Sequence, residues 1–208
     1  MAPPTSRESS RQSTGGRAQA HTLEGIIAGL LVLSSIAFAL QVTAVTPLSA
    51  STSSQHIQNQ QRAAATGVLA SAAESGTLES AVLYWNESGP SFHEAGPRGR
   101  YASAPPNEFG ALLAETFDRR GIAYNVRISY AIPGGERRRI QMVYQGAPSD
   151  SAVRASRLVT LTDAAVLRAA DETPTGTNVS ATDSFYAPDA SASGLYNVVR
   201  VEVVVWRI

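Results

Sequence analysis

Residues Ile26 to Val45 read IIAGLLVLSSIAFALQVTAV, an apolar run broken only by Gly29, Ser34, Ser35, Gln41 and Thr43. As a helix, a run of this length reaches about 30 Å, the thickness of the hydrocarbon core of a bilayer. From Met1 to Gly16 the chain is mostly Ser, Thr, Pro, Gly and Arg, a composition without periodic apolar residues that predicts disorder. Beyond Pro47 roughly 160 residues remain, a normal size for one domain with its own core. The pattern is one anchor and one ectodomain.

Charge sets the orientation of the anchor. Arg7, Arg11 and Arg17 precede the run, and the next arginine after it is Arg62. Positive residues stay on the cytoplasmic side, so the N-terminus is expected inside and the C-terminal domain outside the cell membrane. Over the whole chain seventeen basic and seventeen acidic side chains cancel, and every basic one is arginine. That balance gives no overall pull toward nucleic acid, which is not an expected partner. Cysteine is absent, which removes disulfides, zinc ribbons and thiol nucleophiles together.

Directly before the apolar run stands Arg17-Ala18-Gln19-Ala20-His21-Thr22-Leu23-Glu24-Gly25. This arrangement resembles the class III signal of archaeal type IV pilins and archaellins, and the stretch from Gln19 to Gln41 is most similar to uncharacterised pilin-like membrane proteins of haloarchaea. The resemblance implies cleavage by a prepilin-type peptidase between Ala18 and Gln19, with Arg17 needed for recognition and the apolar helix kept on the mature protein. It implies no cofactor and a structural role beside other pilin-like subunits, as a minor pilin or pseudopilin in a surface filament or secretion assembly. Cleavage after Ala18 makes Glu24 the sixth mature residue, one place later than the acid that pilins often carry. The neutral net charge also departs from the acidity usual in exported haloarchaeal domains.

Two readings of Glu24 stand side by side. In the pilin reading its carboxylate pairs with the new α-amino group of a neighbouring subunit and sets the subunit register, since a charge in an apolar bundle is costly unless paired. Alternatively it is an interfacial acid favoured by water and the dipole at a helix start. Gly25 and Gly29 form a small-xxx-small pair on one helix face, suited to close helix packing in lipid, although glycine is also common in membrane helices at large. A competing reading of the whole segment is an ordinary signal peptide cut after Ala37-Phe38-Ala39, which would release a secreted hydrolase.

Past the anchor, Ile57, Gln61, Ala64, Val68 and Ala72 fall along one side of a polar helix ending near Gly76, and Pro47 is expected to kink the chain where it leaves the membrane. Thr77 is the expected cap of a short helix with Leu78, Ala81, Val82 and Trp85 on one face. A Gly- and Pro-rich loop is expected from Asn86 to Ala104. Phe109, Leu112, Leu113, Thr116 and Phe117 then trace a second amphipathic helix, with Gly121 as its terminator. Ile122 to Ile132 alternates with period two, and after the Pro133-Gly134-Gly135 turn Ile140, Met142 and Tyr144 continue the buried face of a hairpin. Leu158 to Thr162 is a further strand, Asp171 to Gly194 a long loop. Asn197 to Ile208 closes the chain as a valine-rich strand, central because it has so few polar positions. An edge extended by another subunit is the alternative.

The fold class expected is therefore α+β, pilin-like: a long N-terminal helix, transmembrane in its first half, followed by helices packed on a small antiparallel sheet. The organisation is 1–18 leader, 19–47 transmembrane helix, 48–76 helical stalk and 77–208 extracellular domain.

Motifs for catalysis and metal binding are missing: no H-E-x-x-H, G-x-S-x-G, P-loop or Rossmann fingerprint occurs. Neither enzyme activity nor a metal is expected. His93, in the Gly/Pro loop, reads as a solvated residue, and a triad assembled around it in space is the enzyme alternative. Arg137-Arg138-Arg139 is either a basic ridge for a partner or a solvated hairpin tip, and the balanced charge favours the latter. Asn86-Glu87-Ser88 and Asn178-Val179-Ser180 are sequons, so Asn86 and Asn178 are candidate N-glycosylation sites. The main functional alternative to a filament subunit is an anchored ectodomain that binds a ligand or envelope component without polymerising.

Overall fold

The computed structural model of the chain describes residues 12–191 and 193–207, with side chains for 20–41, 54–191 and 193–207. The chain divides into two units, Met1–Ser53 and Ser54–Ile208. Helix α1, Gln12–Glu74, contributes to both. It includes positions 12–18, which composition assigned to a disordered leader; Ser13, Thr14, Gly15 and Gly16 are weak helix formers, so propensity does not account for the helix there. The side chain of Pro47, where a kink was expected, lies outside the described residues.

In the second unit, the last turns of α1 bury Gln61, Ala65, Val68, Leu69 and Ala72 while Ile57 and Ala64 stay half-buried. That is the i, i+3, i+4, i+7 stripe of an amphipathic helix. After Gly76, helix α2 spans Thr77–Val82. Thr77 does not cap it. Its hydroxyl donates back to the Ala72 carbonyl, 3.3 Å away, and so ties α2 to the end of α1.

Trp85 is not on the helix as the periodicity suggested. Strand β1, Trp85–Asn86, pairs with β2, Ser91–Phe92, inside the expected loop. The indole Nε1 donates to the Ser184 carbonyl at 2.7 Å, a contact 99 positions away that no local pattern encodes. Helix α3, Glu108–Thr116, starts at Asn107, whose side chain accepts from the Gly110 amide at 2.9 Å. It runs into a 3-10 turn at Asp118–Arg120, and Gly121 ends it in the left-handed region at φ 62°.

The sheet has four antiparallel strands: β3 Ile122–Ala131, β4 Arg137–Tyr144, β5 Val153–Thr162 and β8 Leu195–Arg207. Their order is β4-β3-β8-β5, which makes the valine-rich β8 central. Tyr124, Val126 and Ile128 of β3 and Val199, Val201, Val203 and Val205 of β8 face the helices and are buried with Leu69, Leu113 and Phe117 in one core.

The β3–β4 ladder departs from plain alternation. Arg127 pairs with Gln141 but Val126 pairs with Val143, so Met142 is an extra residue on β4. Beyond this bulge the faces exchange. Val143 turns into the core and Tyr144, expected to be buried, is exposed. The loop expected between Asp171 and Gly194 also carries regular structure. Strand β7, Pro174–Asn178, pairs with β6, Val166–Arg168, followed by a 3-10 turn at Val179–Ala181. PTGTN has no apolar alternation to announce a strand.

The opposite face of the sheet is open over most of its area. At one end residues 145–152 fold over it and bury Ala123, Val204 and Trp206 against Ala152. Asn125 fixes this cover: its Oδ1 accepts from the Gln145 amide at 2.8 Å and its Nδ2 donates to the Gly146 carbonyl at 2.9 Å. Asn197 holds the other end. It accepts from the Ala131 amide (3.1 Å) and donates to the Ala131 and Pro188 carbonyls (2.9 and 2.8 Å), extending the β3–β8 ladder with a side chain. Asn197→Ala is expected to cost about 2–4 kcal/mol, three hydrogen bonds at about 1 kcal/mol each plus the burial of unpaired groups. Urea denaturation of the variant measures this, and a loss below about 0.5 kcal/mol would contradict the clamp.

Candidate functional site

The most distinctive surface of the first unit is the stretch Ala20–Gln41 of α1. Within its 22 residues a window of 18 has a mean hydropathy of 2.2, and none of that window is buried. Leu31 and Leu33 are each 66% exposed and Phe38 69%. In water this array would cost about 1.5–3 kcal/mol per large side chain relative to burial. Within the run the Ser35 hydroxyl donates to the Val32 carbonyl at 2.9 Å, satisfying the group inside the helix itself. The segment is long and apolar enough to cross a membrane, a test that a signal sequence also passes.

His21 and Glu24 sit one turn apart at the N-terminal end of this stretch, Nδ1 to Oε2 at 3.8 Å, both more than four-fifths exposed. Such an exposed pair contributes little to stability. Gly25 and Gly29 are equally open. A Cβ built at either meets nothing within 4 Å, so no contact among the described residues demands glycine there. The side chains of Arg17, Ala18 and Gln19, the expected peptidase site, lie outside the described residues.

In the second unit the two sequon asparagines are both half-buried. Asn86 accepts from the Ser88 amide at 3.0 Å, closing a turn across its own triplet. Asn178 ends β7 opposite Val166. His93 is not a freely solvated loop residue. It is half-buried, its Nε2–H donates to the Arg168 carbonyl at 2.9 Å, and its ring meets Tyr84 edge-on at 4.9 Å. A carbonyl can only accept, so this bond fixes the proton on Nε2. Among the described residues no group of His, Asp and Glu is arranged to hold a metal ion.

Tyrosines tie the loops of this unit to its core. Tyr84 donates to the Ala170 carbonyl (2.8 Å), Tyr186 to that of Val82 (3.1 Å), Tyr196 to that of Ala187 (2.7 Å), and Tyr101 to that of His93. Burial raises the phenol pKa of each, with Tyr196 pushed up to about 12. Beside Tyr186 and Tyr196 opens a cavity of about 380 Å³, lined also by Tyr130, Phe185, Arg138, Asp183 and Asp189. An aromatic wall with charges of both signs at its rim has the makings of a small-molecule site. Sequence reasoning missed it, because its residues come from β3, β4, the segment after β7 and the start of β8, which only the fold brings together.

The chain belongs to a family of unknown function, DUF7288, whose model matches residues 17–205. The match begins at Arg17 and covers the apolar helix together with the sheet domain. No curated protein and no solved structure matches the chain.

Proposed function

We propose that this chain is a membrane-anchored, pilin-like structural protein: a single-pass subunit with its N-terminus in the cytoplasm and its α+β domain outside, acting as a minor pilin or pseudopilin of a surface filament or secretion assembly. The observation that carries this reading is the bare apolar surface of Ala20–Gln41. Lipid covers such a helix before assembly, and like helices cover it within a fibre. Supporting it are the Arg17-Ala18-Gln19 motif at the mouth of the helix and the packing of residues 61–72 on an antiparallel sheet. In this reading a prepilin-type peptidase cuts after Ala18, Gly25 and Gly29 let neighbouring helices approach, and Glu24 sets their register. The type of protein that this resembles is the archaeal type IV pilin or archaellin.

Filament shearing tests the assembly. The protein is expected in the sheared fraction, with a terminus at Gln19 by N-terminal sequencing, and Arg17→Gln is expected to leave the uncut chain in the membrane. Material that never leaves the membrane fraction, even when cut, favours the second reading, an anchored ectodomain that binds a ligand without polymerising. The cavity beside Tyr186 and Tyr196 is the observation behind that second reading.

A further inference from the structure

Arginine is scattered along the sequence, but strand register gathers it. Residues directly opposite in an antiparallel pair share a face. Arg139 pairs with Ser129 and Arg137 with Ala131 across β3–β4. Ser129 in turn pairs with Arg200, and Arg127 with Glu202, across β3–β8. Arg154 pairs with Val204 across β5–β8, on that same side. The sheet face turned away from the helices therefore carries Arg127, Arg137, Arg139, Arg154 and Arg200, all four strands contributing. It carries one acid, Glu202, and Arg127 already occupies it at 3.6 Å.

Arg139, Arg154 and Arg200 are exposed and have no ion-pair partner among the described residues. Arg137 lies down on the sheet, its Nη2 donating to the Ser129 and Val198 carbonyls at 3.1 and 3.2 Å. Leu158, opposite Arg200 on the edge strand β5, is 56% exposed beside these arginines. On a chain with equal numbers of acids and bases, a face with five cations and one acid is a concentrated positive field. The middle residue of the 137–139 triplet is excluded from it. Arg138 faces the other way and lines the cavity beside Tyr130.

We propose that this face binds a linear polysaccharide bearing carboxylate or sulfate groups. Guanidinium forks engage such groups in bidentate fashion. The spacings of the sheet, about 4.8 Å between strands and about 6.8 Å between alternate residues, present the forks as a ladder to an extended chain of anions. Leu158 offers the apolar contact that a sugar ring's C–H face accepts. Bases of a nucleic acid would need exposed rings to stack on. Of the rings on this face Trp206 is 6% exposed, and the exposed Tyr144 already has Arg100 over its ring at 4.5 Å.

The test uses the full chain in detergent with two probes, alginate as a polyuronate and dextran sulfate, and neutral dextran as blank. Binding to at least one polyanion is expected, weakening with salt. The triple variant Arg139→Gln, Arg154→Gln, Arg200→Gln is expected to lower affinity about tenfold or more, from three lost charge-assisted contacts. A control with the same charge change elsewhere, Arg98→Gln, Arg119→Gln, Arg120→Gln, is expected to stay within about twofold. Circular dichroism checks folding, and Arg154→Gln alone, expected to weaken binding about threefold, serves if the triple variant unfolds. The proposal is overturned if neither polyanion binds, if both triple variants lose affinity equally, or if oligothymidylate or phosphatidylglycerol vesicles bind more tightly through the same arginines.

Discussion

Replacing Gly110 by alanine is expected to destabilise the ectodomain by about 3–5 kcal/mol and to lower its melting temperature by about 10 °C. A Cβ at this position would lie 1.9 Å from the Pro105 carbonyl oxygen and within 3 Å of two further backbone atoms of the same residue. The obstacle is main chain, so no rotamer change relieves it. Helix α3 would have to lift away from residues 105–107, taking with it the Gly110 amide that bonds Asn107 and the buried Phe109 and Leu113. Gly67 supplies the contrast. It lies in α1 with nothing within 4 Å of an added Cβ, and Gly67→Ala is expected to stabilise by about 0.5–1 kcal/mol through helix propensity. Thermal melts of the two variants against the parent decide the matter. Equal stability of Gly110→Ala and the parent would mean that α3 does not rest on Pro105.

Alkaline pH is expected to unfold the domain between about pH 10 and 12. Five phenols, those of Tyr84, Tyr101, Tyr124, Tyr186 and Tyr196, have their pKa raised chiefly by burial; that of Tyr196 goes from the ordinary 10.0 to about 12. In the unfolded chain each would ionise near pH 10. Above that pH the folded state binds more protons than the unfolded one, so stability falls as pH rises. Each phenol held neutral contributes a slope of about 1.4 kcal/mol per pH unit, and five together reach an upper bound of about 7 kcal/mol per unit. The stabilisation is complete below pH 10 and is lost on the way up through the folded-state values. Phenolate absorbance and circular dichroism followed together should change in one step. Gradual titration of these five phenols near pH 10 with the fold intact would contradict their burial.

Periodicity made the long elements legible. The alternation from Ile122 to Ile132, the valines of β8 and the stripe at Phe109, Leu113 and Phe117 each bury one face against the same core, so local pattern and global fold agree. What escaped has a physical reason in each case. The bulge at Met142 inserts one residue into an otherwise regular strand, and no composition marks it. Strands β1 and β2 are held by Trp85 reaching Ser184 and Phe92 reaching Tyr186, and β7 has no apolar alternation to reveal it. Ala123 and Asn125 sit at positions that pattern assigns to solvent, and the fold of residues 145–152 over the sheet buries them.

The candidate sites divide along the same line. The exposed apolar helix is a property of contiguous sequence, and composition alone found it, with Glu24, Gly25 and Gly29 at its start. The cavity beside Tyr196 and the arginine face depend on register between strands far apart in the chain. Arg137, Arg138 and Arg139 illustrate the difference. As a triplet they look like one basic cluster, yet strand pleating sends the middle one to the opposite side.

The most direct test of the central claim is the location and mass of the native protein after carbonate extraction of membranes. Retention in the membrane pellet as a polypeptide that still contains Ala20–Gln41 is the result predicted, its mass corresponding to a start at Gln19. Recovery of the domain in the soluble fraction with a terminus at Leu40 would show that the apolar helix is a discarded signal, and the anchored, pilin-like account would be wrong.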